Sequence, residues 1–527
     1  MKHFFVYSAV NDSDISTSLG RPEYSYYFVL KEFLPVLQQL GAVTQVASPD
    51  EVDELWEKAR KAGESGIFLS FSPPHLTRID LKCPTIPVFA WEFDTLPSEM
   101  WFDAPLQNWA YGLSHWGKAI VHSEMTATAT RRLMGEHFPV TSIPAPLWDR
   151  MSPLREATLL QPGPIILDIA KGVLKDTRLT SLDPYRPGPD FLAEYVARSA
   201  GKPWPPQTTD CEVVPDPTPD VSAPTKPPQL RPIPALLRIT IRYLVEWYRL
   251  VLKGLLGIQD SDKPSPDVVP IESTPEETLS ISEFERAWLP QSHQLELEGV
   301  IFTSVFNPYD GRKNWRDILS AFCDAFKDRE DVVLVCKLTH QDYRDAMEEM
   351  LSTLARFPAF KCRVVLLHGY LTADTYQRLM ATTAFIVNAS HGEGQCLPLM
   401  EYLSIGKPAI APCHSAMADY IDDAVGFVVS SWPDATAWPH DPRVAYRTLR
   451  HQIDWESLRE AFVAADICVR EDPERYQKLS QNAIQRMQTH CSQATAAARL
   501  QALLDQPACV TAPPLSIESD SETGNAA

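Results

Sequence analysis

Short apolar runs alternate with longer stretches in which apolar residues recur every third or fourth position, and this rhythm appears twice along the chain. Within the first 145 residues it reads "HFFVYSAV", "YSYYFVLKEFLPVLQQLG", "AVTQVA", "GIFLSF", "TIPVFAW", "KAIVHS" and "MTATATRRLMG". From residue 297 it returns as "LEGVIFTSVF", "WRDILSAFCDAF", "DVVLVCKL", "CRVVLLHGY", "TADTYQRLMATT", "AFIVNAS", "CLPLMEYLSIG" and "PAIAP". Period-two or continuous apolar runs suit strands and a 3.6-residue period suits helices, so each series predicts an open α/β sheet with helices on its faces. The chain is therefore read as two doubly wound units, 1–150 and 295–450, with helices over 451–506 and an acidic tail over 507–527.

Between the two units the composition changes. The chain has 46 prolines against 21 glycines, and eleven of the prolines fall in residues 201–234. A second loose stretch follows at 259–277. Such segments bury too little apolar surface to offset the entropy of ordering them, so 151–294 is read as a largely disordered insert. Within it, "ALLRITIRYLVEWYRLVLKGLLGI" at 235–258 is a single strong helix pattern. On a helical wheel Arg238, Arg242, Arg249 and Lys253 fall within about 60° of one another, with an apolar arc over most of the rest. That pattern predicts a helix lying in an anionic membrane surface, with docking on a protein face as the alternative.

Net charge is −20 over 527 residues, which excludes nucleic acid as a general partner. Ten cysteines without a CxxC pair read as reduced thiols of a cytoplasmic protein, peripheral on the inner membrane face if the helix binds there. The start "MKHFFVYSAVNDSD" reads as a first strand, not a signal peptide. No short-period repeat is evident.

Candidate chemistry concentrates in "SHGEGQCLPLMEYLSIGKPAI", residues 390–410. Open α/β sheets bind ligands beyond the carboxyl ends of their strands, so "HGEGQ" after the strand "AFIVNAS" is a ligand loop, with Pro398 in the first turn of the next helix. Glycines admit close backbone approach and free amides at a helix start favour an anion. Glu393 lies in the loop and Glu401 about one turn into the helix, where each can accept hydrogen bonds from sugar hydroxyls. A ligand with a central anion and a polyol on each side, such as a nucleotide sugar, fits this layout. In "GRKNWRDILSAF", Asn314 reads as an N-cap that sets Arg312 and Lys313 beside a helix start, where an anion would be needed. Lys337 ends a strand and is placed to reach phosphate or base, or to form a buried ion pair.

These residues resemble the donor half of retaining GT-B glycosyltransferases of family 4, through "GRKN", "LLHGYL" and the Glu, seven residues, Glu spacing. "SLGRPEYSYYFVL", "VFAWEFDTLPSEMW" and "IVHSEMTATATRRLMG" resemble the acceptor half of its bacterial polysaccharide-type branch. The resemblance covers about 1–150 and 295–505 and implies a GT-B fold, two Rossmann-like domains facing a cleft. It implies that Glu393 contacts donor-sugar hydroxyls, that the amides of Gly394, Gln395, Cys396 and Leu397 face sugar and phosphates, and that Glu401 takes the ribose. Lys313 matches the phosphate lysine. An arginine that many members carry earlier has Asn307 near its place, with Arg312 as substitute. Gly369 and Tyr370 would border the base, and Gly20 the diphosphate from the opposite domain. Where members carry a histidine facing the donor sugar, this chain has Trp91, Glu92 and Asp94. Glu92 either stabilises charge at the anomeric carbon or caps a helix beginning near Pro97. His391 either touches the sugar or bonds backbone, and His122 is read as structural.

The expected activity is retaining, metal-independent transfer of a hexose from a nucleoside diphosphate sugar to a carbohydrate acceptor, lipid-linked if the insert helix binds membrane, in polysaccharide or glycoconjugate synthesis. No cofactor is implied. The residue set is also compatible with a GT-B nucleotide-sugar epimerase and with a non-catalytic nucleotide-sugar-binding scaffold.

Overall fold

The computed structural model describes residues 2–10, 24–155, 164–186, 188 and 286–511. In it each apolar run read above as a strand forms one. The first sheet contains β1 (Lys2–Ser8), β2 (Ala42–Gln45), β3 (Ser65–Phe71), β4 (Thr85–Phe89), β5 (Ala119–Val121) and β6 (Val140–Ser142), in the order β2-β1-β3-β4-β5-β6. All its pairings are parallel. Parallel strands need crossovers, supplied here by α1 (Tyr24–Leu40), α2 (Val52–Lys61), α3 (Trp109–Trp116) and α4 (Glu124–Met134). A four-residue α5 (Ser152–Arg155) follows.

The second sheet has eight strands: β7 (Ile165–Asp176), β8 (Gln291–Leu297), β9 (Val300–Phe306), β10 (Val332–Leu338), β11 (Arg363–His368), β12 (Phe385–Val387), β13 (Ala409–Pro412) and β14 (Gly426–Val429). Their order is β14-β13-β12-β9-β10-β11-β7-β8. From β9 the chain winds outward through β10 and β11, then returns to β12 on the other side of β9. That reversal opens a crevice between the loops that follow β9 and β12. The crossovers are α6 (Trp315–Ala325), α7 (Arg344–Leu354), α8 (Ala373–Thr382) and α9 (Leu397–Ser404). Strands covered on both faces read as continuous apolar runs, and all seven residues of β10 are buried, Lys337 included. At the core of this sheet the Phe302 ring lies 5.3–5.9 Å from those of Phe322, Phe326, Phe385 and Phe462.

Two differences from the sequence reading concern boundaries. Ile165–Asp176, placed in the insert, is a strand antiparallel to β11 and to β8. The buried pair of Asp176 and Arg363, 2.7 Å apart, fixes it there. Its alternating pattern follows directly on Pro162 and Pro164, which suit a linker more than a strand. A hairpin, β15 (Ser431–Ala437) with β16 (Tyr446–Ile453), forms a separate two-stranded sheet that the reading did not anticipate. The final helices are α10 (Trp455–Glu471), α11 (Pro473–Cys491) and α12 (Gln493–Asp505). The last returns to the first sheet: Ala496, Leu500 and Leu503 join its core. Lys118 Nζ donates to the Leu503 and Leu504 carbonyls at 2.9 and 3.2 Å, closing the helix end.

Two doubly wound sheets whose strand ends meet form the GT-B arrangement. Gly20, the 235–258 helix pattern and residues 512–527 lie outside the described residues. Among the described residues no helix is long and apolar enough to cross a membrane.

Truncating the central ring should be costly. Phe302→Ala is expected to destabilise the second sheet by about 3–5 kcal/mol, read as a lower denaturant midpoint with secondary structure retained in the absence of denaturant.

Candidate functional site

The loops on either side of the chain reversal carry the expected residues. Residues 307–314 follow β9 and 388–396 follow β12. Each loop ends on a non-glycine residue in the left-handed region immediately before a helix, Asn314 at φ +49° and Cys396 at φ +62°. Such residues cost free energy that the surroundings must supply, and they cluster at working sites. Asn314 stands at the N-cap position of α6, but its side chain makes no cap bond. Its left-handed backbone turns the amide away, and Nδ2 donates to Asp317 Oδ2 at 2.8 Å.

Glu393 is the centre of the cluster, with its side chain only 3% exposed. Lys313 Nζ donates to its Oε1 at 2.6 Å and Arg312 Nη1 to its Oε2 at 3.1 Å. Ser390 Oγ and Asn388 Nδ2 donate to Oε1 at 2.6 and 3.1 Å. Its own amide donates to Ser415 Oγ at 3.0 Å. Burial pushes the Glu393 carboxyl up, but Lys313 and Arg312 outweigh that and hold it at about 2. Arg312 is shared further: Nε lies 2.9 Å from Asp310 Oδ2 and 3.5 Å from Glu92 Oε1. Burial lowers the guanidinium pKa and Glu92, Glu393 and Asp310 raise it, with a net upward shift. Three carboxylates thus face two cations. Glu92 is raised above the ordinary carboxylate range, by burial first, with Arg312 opposing.

Glu92 belongs to the first sheet and follows β4, so the cluster spans both sheets. The loop glycines allow this. A Cβ at Gly394 would lie 2.9 Å from Ala90 Cβ and 3.1 Å from the Trp91 nitrogen, and one at Gly392 would lie 2.9 Å from the Glu92 carbonyl oxygen. Trp91 is core, 4% exposed, with Nε1 donating to the Thr95 carbonyl at 2.7 Å. No helix begins near Pro97: the first helical turn after β4 is Pro105–Gln107. Glu92 therefore has no helix to cap there. Gln395 Oε1 accepts from the Ala145 amide of the first unit.

The amides of Gly394, Gln395 and Cys396 have no acceptor among the described residues, although they lie at the start of α9. The Cys396 thiol is pushed up to about 12, first by burial and then by Glu393. Leu397 opens the helix and packs against the first-sheet core. One turn on, Glu401 accepts from Tyr376 Oη at 2.9 Å and from Arg150 Nη2 at 3.0 Å. Arg150 also binds Glu32 of α1 at 2.6 Å, so this carboxylate too lies where the sheets meet.

The remaining expected residues fall outside this cluster of side-chain bonds. His391 bonds backbone: Nδ1–H donates to the His451 carbonyl at 2.8 Å, and the His451 amide donates to the His391 carbonyl at 2.8 Å. His122 is structural, its Nδ1–H donating to the Ile143 carbonyl at 2.8 Å. Lys337 forms no ion pair among the described residues; its Nζ donates to the Leu338 carbonyl at 2.8 Å, and burial lowers its pKa to about 8. Gly369, at φ +133°, has no room for a side chain against β7, because a Cβ there would sit 2.6 Å from the Lys171 carbonyl oxygen. Tyr370 is 69% exposed. Asn388, Ser390, Ser415, Arg150 and Tyr376 went unread. Asn388 and Ser390 were accessible as polar residues closing a buried strand; the others have no local signal.

No family model matches the chain, and no curated protein matches it significantly. Among solved structures, the chain is similar to Anabaena Alr3699/HepE in complex with UDP and glucose, at 10% identity over 96% of this chain and 100% of that one, with a TM-score of 0.46. It is similar to sucrose-phosphate synthase (tll1590) from Thermosynechococcus elongatus, at 11% identity over 96% and 98%, with a TM-score of 0.44. A glycosyltransferase from Rickettsia africae ESF-5 gives 9% identity over 96% and 99%, with a TM-score of 0.44. The fold itself is defined by the strand orders of the two sheets.

The depressed Glu393 pKa has a signed consequence. Its unfolded value is near 4.5 and its folded value about 2, so its stabilising effect is complete above about pH 4.5 and is lost as pH falls towards 2. The difference in thermal midpoint between wild type and Glu393→Gln should be largest at neutral pH and shrink below about pH 4.5. A difference independent of pH would show that the ion pairs do not form.

Proposed function

We propose that the protein is a glycosyltransferase that moves a hexose from a nucleoside diphosphate sugar to a carbohydrate hydroxyl, with retention at the anomeric carbon. The observation that carries this reading is the pairing, at the chain reversal, of a fixed buried carboxylate with three unaccepted amides and a second carboxylate one helical turn on. Anions suit the amides, because helix starts and consecutive free N–H groups form a ready anion site. Polyols suit the carboxylates, which accept hydrogen bonds and repel phosphate.

In this reading the diphosphate lies on the amides of Gly394, Gln395 and Cys396, with Leu397 at the helix start and Lys313 beside them. Glu401 takes the ribose, and Gly369, Tyr370 and Lys337 border the base. Glu393 accepts from a hexose hydroxyl through Oε2, which takes one protein donor, Arg312, where Oε1 takes Lys313, Ser390 and Asn388, while Arg312 holds Glu393 and Glu92 in register. Gly20 is assigned to the diphosphate by resemblance alone. The anomeric C–O bond to the diphosphate breaks while the acceptor oxygen bonds to the same face of that carbon, and the acceptor proton passes to the departing diphosphate oxygen. Preorganised amides and Lys313 stabilise the leaving charge without reorganising. Glu92 stabilises positive charge developing at the anomeric carbon. The residues named need no metal ion for this sequence of events. The acceptor is a glycan hydroxyl, lipid-linked if 235–258 binds an anionic membrane.

A panel of UDP-, GDP- and ADP-sugars tests the reading. One of them should raise the thermal midpoint, since a ligand at a hundred times its Kd stabilises by about 2.7 kcal/mol. Glu401→Ala should then weaken binding of the matching nucleoside diphosphate by about 1–3 kcal/mol in calorimetry. No protection by any member, or unchanged affinity in the variant, contradicts the assignment.

A further inference from the structure

The β15–β16 hairpin belongs by sequence to the second unit, yet it touches the loops that carry Glu92 and Glu393 from either side. At one end of β16, the Thr448 hydroxyl and the Leu449 amide both donate to Asp94 Oδ1 at 2.9 Å. Asp94 stands two residues beyond Glu92. Thr95 Oγ1 donates to the Arg447 carbonyl at 2.9 Å, and Trp438 Nε1 donates to Thr95 Oγ1 at 3.2 Å. At the other end of the same strand, His451 exchanges two 2.8 Å bonds with His391, two residues before Glu393. The His391 amide in turn donates to the Arg312 carbonyl at 2.7 Å. The His451 ring stacks on that of His414 at 4.2 Å between centroids, and His414 Nδ1 lies 3.2 Å from Ser415 Oγ, the acceptor of the Glu393 amide.

We infer that β16 is a splint that sets the register between the Glu92 loop and the Glu393 loop, and that Asp94 is the positioning residue through which it holds the first sheet. The physical reason is stiffness. A strand paired with its partner from Ser431–Ile453 to Ala437–Tyr446 cannot bend between Leu449 and His451 without breaking ladder bonds. The spacing of three residues from Thr448 to His451 therefore becomes a fixed distance between the two loops, about 10 Å along the strand. Asp94 suits this task because one carboxylate oxygen takes both a side-chain and a backbone donor, which fixes the strand's position and not only its proximity. Arg447 and Arg443, each paired with Glu99 at 2.6 and 2.8 Å, guard the rim of the same contact. They are exposed and contribute little by themselves. The distance between Glu92 and Glu393 decides whether both can face one anomeric carbon, so the splint acts on turnover and not on nucleotide binding. This part rests on the glycosyltransferase reading.

The test has two arms. Hydrogen exchange on the full chain needs no ligand. Asp94→Ala should speed exchange about tenfold over the peptide containing His391 and Glu393, as expected for the loss of two hydrogen bonds, while β9–β11 remain protected. Asp94→Asn keeps an acceptor oxygen and should restore the wild-type rate; Thr448→Val, which removes one donor, should give a smaller change. Unchanged exchange at 391–393 in Asp94→Ala, or equal exchange in the Ala and Asn variants, overturns the splint. The second arm uses the nucleotide sugar selected by thermal protection. Asp94→Ala should lower kcat about tenfold with donor KM within about twofold, and Asp94→Asn should recover kcat. A loss in KM alone contradicts the positioning role. Failure of every nucleotide sugar to protect the protein would defeat the transferase reading and leave the exchange arm to decide the splint.

Discussion

A carboxylate removed from water costs several kcal/mol unless its lone pairs are matched by donors, and Glu393 meets that constraint with Lys313, Arg312, Ser390 and Asn388 at once. The donors come from two loops that only the strand reversal brings together. Lys313 and Arg312 arrive on a short turn fixed by Asp310, whose side chain accepts from the Arg312 amide at 3.3 Å. Asn388 and Ser390 arrive at the end of β12. The left-handed residues Asn314 and Cys396 then turn each loop into its helix without disturbing the cluster. A consequence follows for recognition. With Arg312 shared among Glu92, Asp310 and Glu393, the cations are largely neutralised, so the proposed diphosphate would be met chiefly by backbone amides.

The same cluster sets how closely the two sheets approach. Gly392 and Gly394 leave no room for a side chain against Ala90, Trp91 and Glu92, so the glycines of this loop serve the contact between sheets as well as any ligand. Arg150 repeats the arrangement a turn further on by joining Glu32 to Glu401. Sheet contact and the candidate site are thus one structure. Loosening either should loosen both, because the charged groups lose their partners together.

The sheets were legible in the sequence because strands buried on both faces leave long apolar signatures, as "DVVLVCKL" and "CRVVLLHGY" do. β7 was not, because "IILDIAKGVLKD" intersperses charged residues with its apolar ones beside a proline-rich stretch and so lacks the continuous apolar run of its neighbours. The hairpin was missed for a similar reason: "SWPDATA" has a proline and little apolar content, and its strands are held by each other and by Asp94. Within the site, Lys313 and Glu393, expected on separate loops, meet at 2.6 Å, and Glu401 lies on the helix that follows. Distant partners were not legible: Arg150 and Glu401 are 251 residues apart, Asp94 and Thr448 are 354 apart, and only the tertiary fold introduces them. The cap reading of Glu92 does not hold because Pro97 opens a segment without regular secondary structure and not a helix.

The central claim is that a nucleoside diphosphate group lies on the start of α9. Hydrogen exchange at the amides of Gly394, Gln395 and Cys396 measures it directly, because these amides have no acceptor within the described protein and protection gained on binding reports the ligand. With the nucleoside diphosphate that stabilises the protein, exchange at these three positions should slow markedly while that of α7 and α12 stays the same. Binding that leaves all three amides exchanging at the ligand-free rate would contradict the account.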